Sequence, residues 1–172
     1  MDREPDPESV ARTIALRMLA KAPRSRAQLA EAMARKDVPD DVAARVLDRF
    51  TEVGLIDDAA YAEMLVRTRQ SERGLARRAL AVELQRKGIS GEDAEAALEE
   101  VQPEDEEAAA RALLERKARS TRGLDPVKRR RRMMGMLARK GYPASMAYRL
   151  INEVLQDEDD PADDAWTADY DA

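Results

Sequence analysis

Arg26-Ala-Gln-Leu-Ala-Glu-Ala-Met-Ala-Arg-Lys-Asp-Val-Pro-Asp-Asp-Val-Ala43 lies without gaps over Arg77-Arg-Ala-Leu-Ala-Val-Glu-Leu-Gln-Arg-Lys-Gly-Ile-Ser-Gly-Glu-Asp-Ala94. It lies equally over Arg130-Arg-Arg-Met-Met-Gly-Met-Leu-Ala-Arg-Lys-Gly-Tyr-Pro-Ala-Ser-Met-Ala147, the offsets being 51 and 53 residues. Equivalent positions carry equivalent chemistry. Leu29, Leu80 and Met133 share one slot, and Met33, Leu84 and Leu137 the slot four residues on, so each copy has two apolar residues on one face of a helix. Arg35-Lys36, Arg86-Lys87 and Arg139-Lys140 close that helix, where cations meet the negative end of its dipole. Gly88 and Gly141 then stand where a left-handed residue ends a helix, with Asp37 in their place in the first copy. Val38, Ile89 and Tyr142 follow as apolar anchors.

Outward from this stretch, each copy continues into a second helix. Ala43, Val46, Leu47 and Phe50 form its apolar face in the first copy, matched by Ala94, Ala97, Leu98 and Val101 and by Ala147, Leu150, Ile151 and Val154. The spacing i, i+3, i+4, i+7 is kept each time. A further helix precedes each pair, marked by Val10, Ile14 and Met18, by Tyr61, Met64, Leu65 and Thr68, and by Leu113 and Leu114 within Glu104 to Arg119. The joints carry start signals: Ser25 with Gln28 spells a capping box, and Asp125-Pro126 an N-cap before a first-turn proline. The expected fold is all-α, an elongated, curved array of three tandem three-helix repeats over residues 9–56, 57–102 and 103–156. Residues 1–8 and 157–172 are expected to be acidic, disordered ends.

Composition agrees with helix and narrows function. Charged residues make up 38% and apolar ones 44%, enough to build a core, while aromatics are only 3%. Cysteine and histidine are both absent, which removes disulfides, thiolate nucleophiles, cysteine zinc sites and the usual proton shuttle. No run of about 18 apolar residues exists, and the start lacks an apolar signal region, so the expectation is a cytoplasmic, membrane-free protein. The net charge of −5 conceals an asymmetry. Asp157 to Ala172 holds eight acids and no base, whereas Ser9 to Gln156 holds 29 bases and 23 acids. A basic body lies between acidic ends.

Chemistry for catalysis is scarce. The densest carboxylate group, Glu99-Glu100 with Glu104 to Glu107, could be read as a metal site, but its second half falls in the first turn of a helix, where the dipole favours acids. There is no phosphate-binding glycine loop. The expectation is no enzyme, no metal and no cofactor. The basic features say more. Lys128 to Arg132 is a run of five cations on a helix; at 100° per residue they spread around the axis, and at least three must project outward because Met133, Met136 and Leu137 claim one side. Together with Arg77, Arg78, Arg86, Lys87, Arg139 and Lys140, they are the candidate partner-binding residues. Gly54 to Tyr61 reads as the joint between repeats, with Leu55, Ile56 and Tyr61 packed as core.

Gly54-Leu-Ile-Asp-Asp, Tyr61-Ala62, and Glu83-Leu84 before Arg86-Lys87-Gly88-Ile89 together resemble the RecX recombination regulators. Ala22-Pro23-Arg24-Ser25-Arg26 before Leu29, and Leu137 before Arg139-Lys140-Gly141-Tyr142, are similar to that family's first and third repeats. The resemblance covers about Ser9 to Leu155. Asp37, in place of a turn glycine, and the segment from Asp157 to Ala172 depart from it. The resemblance implies a monomeric regulator that binds the RecA recombinase and its filament on single-stranded DNA, seated in the filament groove. It implies that recombinase, ATPase and co-protease activities are mostly inhibited, in DNA repair and the SOS response, with at most a weak direct contact to DNA. The alternative left open is a helical module that binds DNA without RecA, since three-helix units often place a helix in the major groove.

Overall fold

The structure, a computed structural model, describes residues 6–159. Among the described residues there are nine helices and no strand. The first triplet is α1 (Pro7–Leu19), α2 (Arg26–Ala34) and α3 (Asp40–Glu52); the second is α4 (Asp58–Arg73), α5 (Arg77–Arg86) and α6 (Glu92–Glu99); the third is α7 (Pro103–Thr121), α8 (Pro126–Arg139) and α9 (Ala144–Asp159). The chain clusters into two compact units. Of the described residues, one unit holds those up to Arg69 with Leu80–Glu100, the other Gln70–Ala79 with those from Val101 to Asp159.

In the first unit, the repeated slots are the core. Leu29 and Met33 are wholly buried, and Val46, Leu47 and Phe50 of α3 close over them with Ala11 and Ala15 of α1. Burying each large side chain removes it from water at a gain of about 1.5–3 kcal/mol. The small alanines of α1, rather than Val10, Ile14 and Met18, face inward; those three are half-buried at the edge of the cluster. Leu80 and Leu84 of α5 and Ala97 and Leu98 of α6 repeat the pattern. In the second unit, Leu113, Leu114, Met133, Leu137, Leu150, Ile151 and Val154 form the corresponding core.

Each unit also contains a joint between consecutive repeats, and the two joints are built alike. Ser25 is fully buried and makes the expected capping box: its Oγ accepts from Gln28 N–H at 3.2 Å, and its own N–H donates to Gln28 Oε1 at 3.1 Å. The same hydroxyl donates to the carbonyl of Lys87, at the end of α5. In the second unit the residue 51 positions on, Ala76, donates its N–H to the carbonyl of Lys140 at 2.9 Å. Carbonyls at a helix C-terminus lack an intrahelical partner, and here the preceding repeat supplies one. Close approach follows. A Cβ on Gly88 would collide with Ala27, and one on Gly141 with Ala79.

Three expectations are corrected. The acidic N-terminal stretch is helical from Pro7, because Asp6 accepts from Ser9 N–H at 3.3 Å and proline suits the first turn. Helix α9 likewise runs on through Asp159, with Glu158 held by Arg129 and Arg122. The rest of the expected tail lies outside the described residues. Leu55 is not core: it is 49% exposed, while Ile56 and Tyr61 are buried. Gly54 at φ +76° ends α3, and the N–H groups of Leu55 and Ile56 both return to the Phe50 carbonyl, which turns Ile56 inward and Leu55 out.

Candidate polyanion-binding groove

Helix α8 is started by Asp125, whose Oδ1 accepts from Val127 N–H at 3.0 Å and Lys128 N–H at 3.2 Å, with Pro126 in the first turn. Met133 and Leu137 fix which side is buried. That orientation divides the five consecutive cations. Arg129 turns inward, with a side chain only 13% exposed, and its guanidinium donates to the Ala118 carbonyl at 2.9 Å, to Thr121 Oγ1 at 3.3 Å and to Glu158. Arg130 donates to Asn152 Oδ1 of α9. Two of the five therefore serve the packing of α7, α8 and α9.

Lys128, Arg131 and Arg132 remain outside, and with Gly135 and Arg139 they line an open groove of about 610 Å³. The spacing i, i+3, i+4, i+7, i+11 is a single stripe along α8. Lys117 of α7 supplies a fifth cation that the sequence reading missed. No carboxylate lines the groove, and among the described residues none of these five cations makes an ion pair. Gly135 keeps the middle open, since a Cβ there would lie 3.2 Å from Arg139 Nη1. A strip of unneutralised guanidinium and ammonium groups in a concave surface suits phosphates or carboxylates spaced along a chain.

The other candidate cations are placed differently. Lys140 donates its ammonium to the Arg73 carbonyl, and burial, then Arg73 and Arg116, hold its pKa below the ordinary lysine value. The backbone N–H of Arg77 donates to Glu106 Oε1 at 2.6 Å, and the side chains of Arg77, Arg78 and Arg86 are exposed. Lys87 contributes its carbonyl to the joint with Ser25. None of these five lines the α8 groove. The carboxylates of α7 are engaged structurally: Glu107 receives Arg149 at 2.6 Å, and that guanidinium also reaches Glu153 at 3.2 Å. Arg149 and the hydrogen bonds it donates lower the pKa of Glu107, as those of Arg111 and then Arg149 lower that of Glu153. No group of three or more metal-ligating side chains occurs among the described residues.

The models of the RecX first, second and third three-helix domains match residues 11–50, 57–98 and 104–151 respectively. The chain belongs to the RecX family. It is 52% identical over 148 residues to the regulatory protein RecX of Thermobifida fusca, covering 86% of this chain and 80% of the relative. It is 50% identical to the regulatory protein RecX of Streptomyces coelicolor, covering 89% and 81%. The fold matches the crystal structure of RecX from Lactobacillus salivarius with a TM-score of 0.74 at 23% identity, covering 90% of this chain and 97% of that one. A second RecX crystal structure matches at 0.73 with 26% identity, covering 86% and 72%. The RecX relatives are named as regulatory proteins, not as enzymes. Among the described residues no helix is long and apolar enough to cross a membrane.

Proposed function

We propose that this protein acts in the cytoplasm as a monomer that binds the RecA recombinase and its filament on single-stranded DNA. Binding there holds down strand exchange, ATP hydrolysis and co-protease activity during repair and the SOS response. Membership of a family of regulatory proteins carries the reading, and the unpaired cations of the α8 groove support it. A RecA filament presents a phosphodiester chain and protein together, and unpaired cations along one helix face favour such a target. The experiment is RecA strand exchange and ATPase measured with increasing protein. Inhibition at substoichiometric amounts is expected. Unchanged rates at equimolar protein would sink the proposal.

The unpaired cations of the groove favour a second reading, direct DNA binding without RecA. Titration of a labelled oligonucleotide alone, at two salt concentrations, separates the two. Under the first reading, binding without RecA is weak and inhibition still occurs; tight binding with a steep salt dependence and no effect on RecA supports the second.

A further inference from the structure

The turn at Gly54 leaves Leu55 outside, and this exposed leucine is not isolated. Within the first unit, Leu19 at the end of α1, Pro23, Leu55, and Tyr61 and Met64 of α4 line an open notch of about 290 Å³. Leu55 and Met64 are exposed, while Tyr61 is buried beneath them. An apolar hollow rimmed by charge marks a docking site, because the water over it is released when a partner's side chain enters. The size selects the occupant. Sites for small molecules hold roughly 300–1,000 Å³ and enclose most of the ligand. This notch falls just below that range and is open, which suits one or two side chains of a polypeptide.

The rim supplies the charge. Arg24 lines the same notch and is half-buried. Its Nε is shut off from water and has no hydrogen-bond partner, and among the described residues the side chain makes no ion pair. A carboxylate reaching this guanidinium meets a charge already partly stripped of water and uncommitted, where a charge-assisted bond is stronger than at an open surface. Lys21, three residues earlier, and Arg67, one turn beyond Met64 on α4, are exposed and likewise without an ion pair among the described residues. Asp57 is the one carboxylate among the lining residues, and its Oδ1 already accepts from Ala60 N–H at 2.9 Å. A nucleic acid fits less well: its bases need an exposed aromatic face to stack on, and Tyr61 is buried.

We propose that this notch docks a protein partner through an aliphatic or phenyl side chain flanked by carboxylates. The apolar side chain rests on Leu55 and Met64, and a neighbouring carboxylate pairs with Arg24. None of these residues belongs to the α8 groove, so the chain has a second recognition surface with its own chemistry. The proposal rests on the notch alone and stands whether or not RecA is the protein regulated, so it is tested without RecA.

The probes are three short synthetic peptides, titrated into the isotope-labelled full chain and followed by nuclear magnetic resonance. The first is Ac-Glu-Glu-Leu-Phe-Asp-Glu-NH2; the second has Lys for every acid, and the third Ser for Leu and Phe. Resonances of Leu19, Gly54, Leu55 and Met64 are expected to shift with the first peptide and not with the other two. Leu55→Ser should weaken binding by at least about fivefold, as loss of an anchor contact does. Arg24→Gln should weaken it about three- to tenfold. Val82→Gln, at a position exposed on α5 but outside the notch, should leave it unchanged. Thermal melts check that the variants are folded, and Met64→Gln replaces any that is not, with the same weakening expected. Absence of shifts at these residues with the acidic peptide overturns the proposal. Equal binding of the lysine peptide also overturns it, since the notch would then be an apolar patch without selectivity. So does a single-stranded oligonucleotide that displaces the acidic peptide from these residues, which would make the notch a nucleic-acid contact. Shifts at the same residues that follow protein concentration without peptide would make a second copy the occupant, and overturn it too.

Discussion

Gly141 sits against Ala79 so closely that a Cβ built on it would lie 2.6 Å from the Ala79 nitrogen and 2.7 Å from its Cβ. The same glycine holds a φ of +88°, and the residue before it offers its carbonyl to Ala76. Conformation and contact therefore both demand glycine here. Gly141→Ala is expected to cost about 2–4 kcal/mol, a backbone part of about 1 and the rest from overpacking against a helix start. Gly54→Ala is the control: its φ is +76° but nothing lies within 4 Å, so it should lose only about 1 kcal/mol. Urea unfolding of both variants checks the pair. Equal losses would mean the joint is not the reason for the glycine.

Asp37 occupies the matching turn of the first repeat at φ +58°, and it is exposed. Its Cβ has room that Gly88 and Gly141 lack, which accounts for a non-glycine residue being tolerated at this copy alone. The left-handed strain persists even so. Asp37→Gly should relieve about 1–2 kcal/mol of strain and return part of it to the entropy of the unfolded chain. A net gain of about 0.5–1 kcal/mol remains. Asp37→Ala should lose stability, because alanine lacks the short polar side chain that makes the conformation tolerable. Thermal melts ordered glycine, aspartate, alanine would bear this out, and an alanine variant as stable as the glycine one would refute it.

The repeat, its core slots and the capping box at Ser25 are legible in the sequence because each depends on residues a few positions apart. The groove is legible only in part. A wheel of α8 separates the stripe through Lys128, Arg131, Arg132 and Arg139 from the buried Met133 and Leu137. It does not show that α9 brings Glu158 and Asn152 to Arg129 and Arg130, or that α7 brings Lys117 to the stripe. Those facts belong to tertiary packing. Leu55 and Ile56 show the same limit, since periodicity makes both apolar and only the Gly54 turn decides which faces inward.

Tyr142 links protein stability to alkaline pH. Its hydroxyl donates to the Gly74 carbonyl at 2.9 Å, and burial, with Glu106 second, pushes its pKa from 10.0 up to about 12. Raised in the folded state, this group contributes stability that is complete below pH 10 and lost as pH rises from 10 to 12. Tyr142→Phe should lose about 1 kcal/mol at pH 7 with the hydrogen bond. Between pH 10 and 12 the variant's stability should fall less than the native protein's. Parallel urea midpoints across that range would show that the ring does not titrate as its burial requires.

Arg129 and Arg131 differ by two positions in sequence and by role in the fold. Arg129 is largely enclosed, and its removal would take hydrogen bonds from the Ala118 carbonyl and Thr121 and leave Glu158 with Arg122 alone at 3.5 Å, so Arg129→Ala should cost about 1–3 kcal/mol in unfolding. Arg131 and Arg132 have no partner among the described residues, and Arg131→Ser/Arg132→Ser should stay within about 0.5 kcal/mol of the native stability. Polyanion binding should reverse the order. Losing two phosphate contacts should lower the slope of log affinity against log salt by about 1.4 on a single-stranded oligonucleotide. Arg129→Ala, assayed well below its melting temperature, should leave that slope unchanged. A full salt slope in the Arg131→Ser/Arg132→Ser variant would remove the α8 groove from the binding surface.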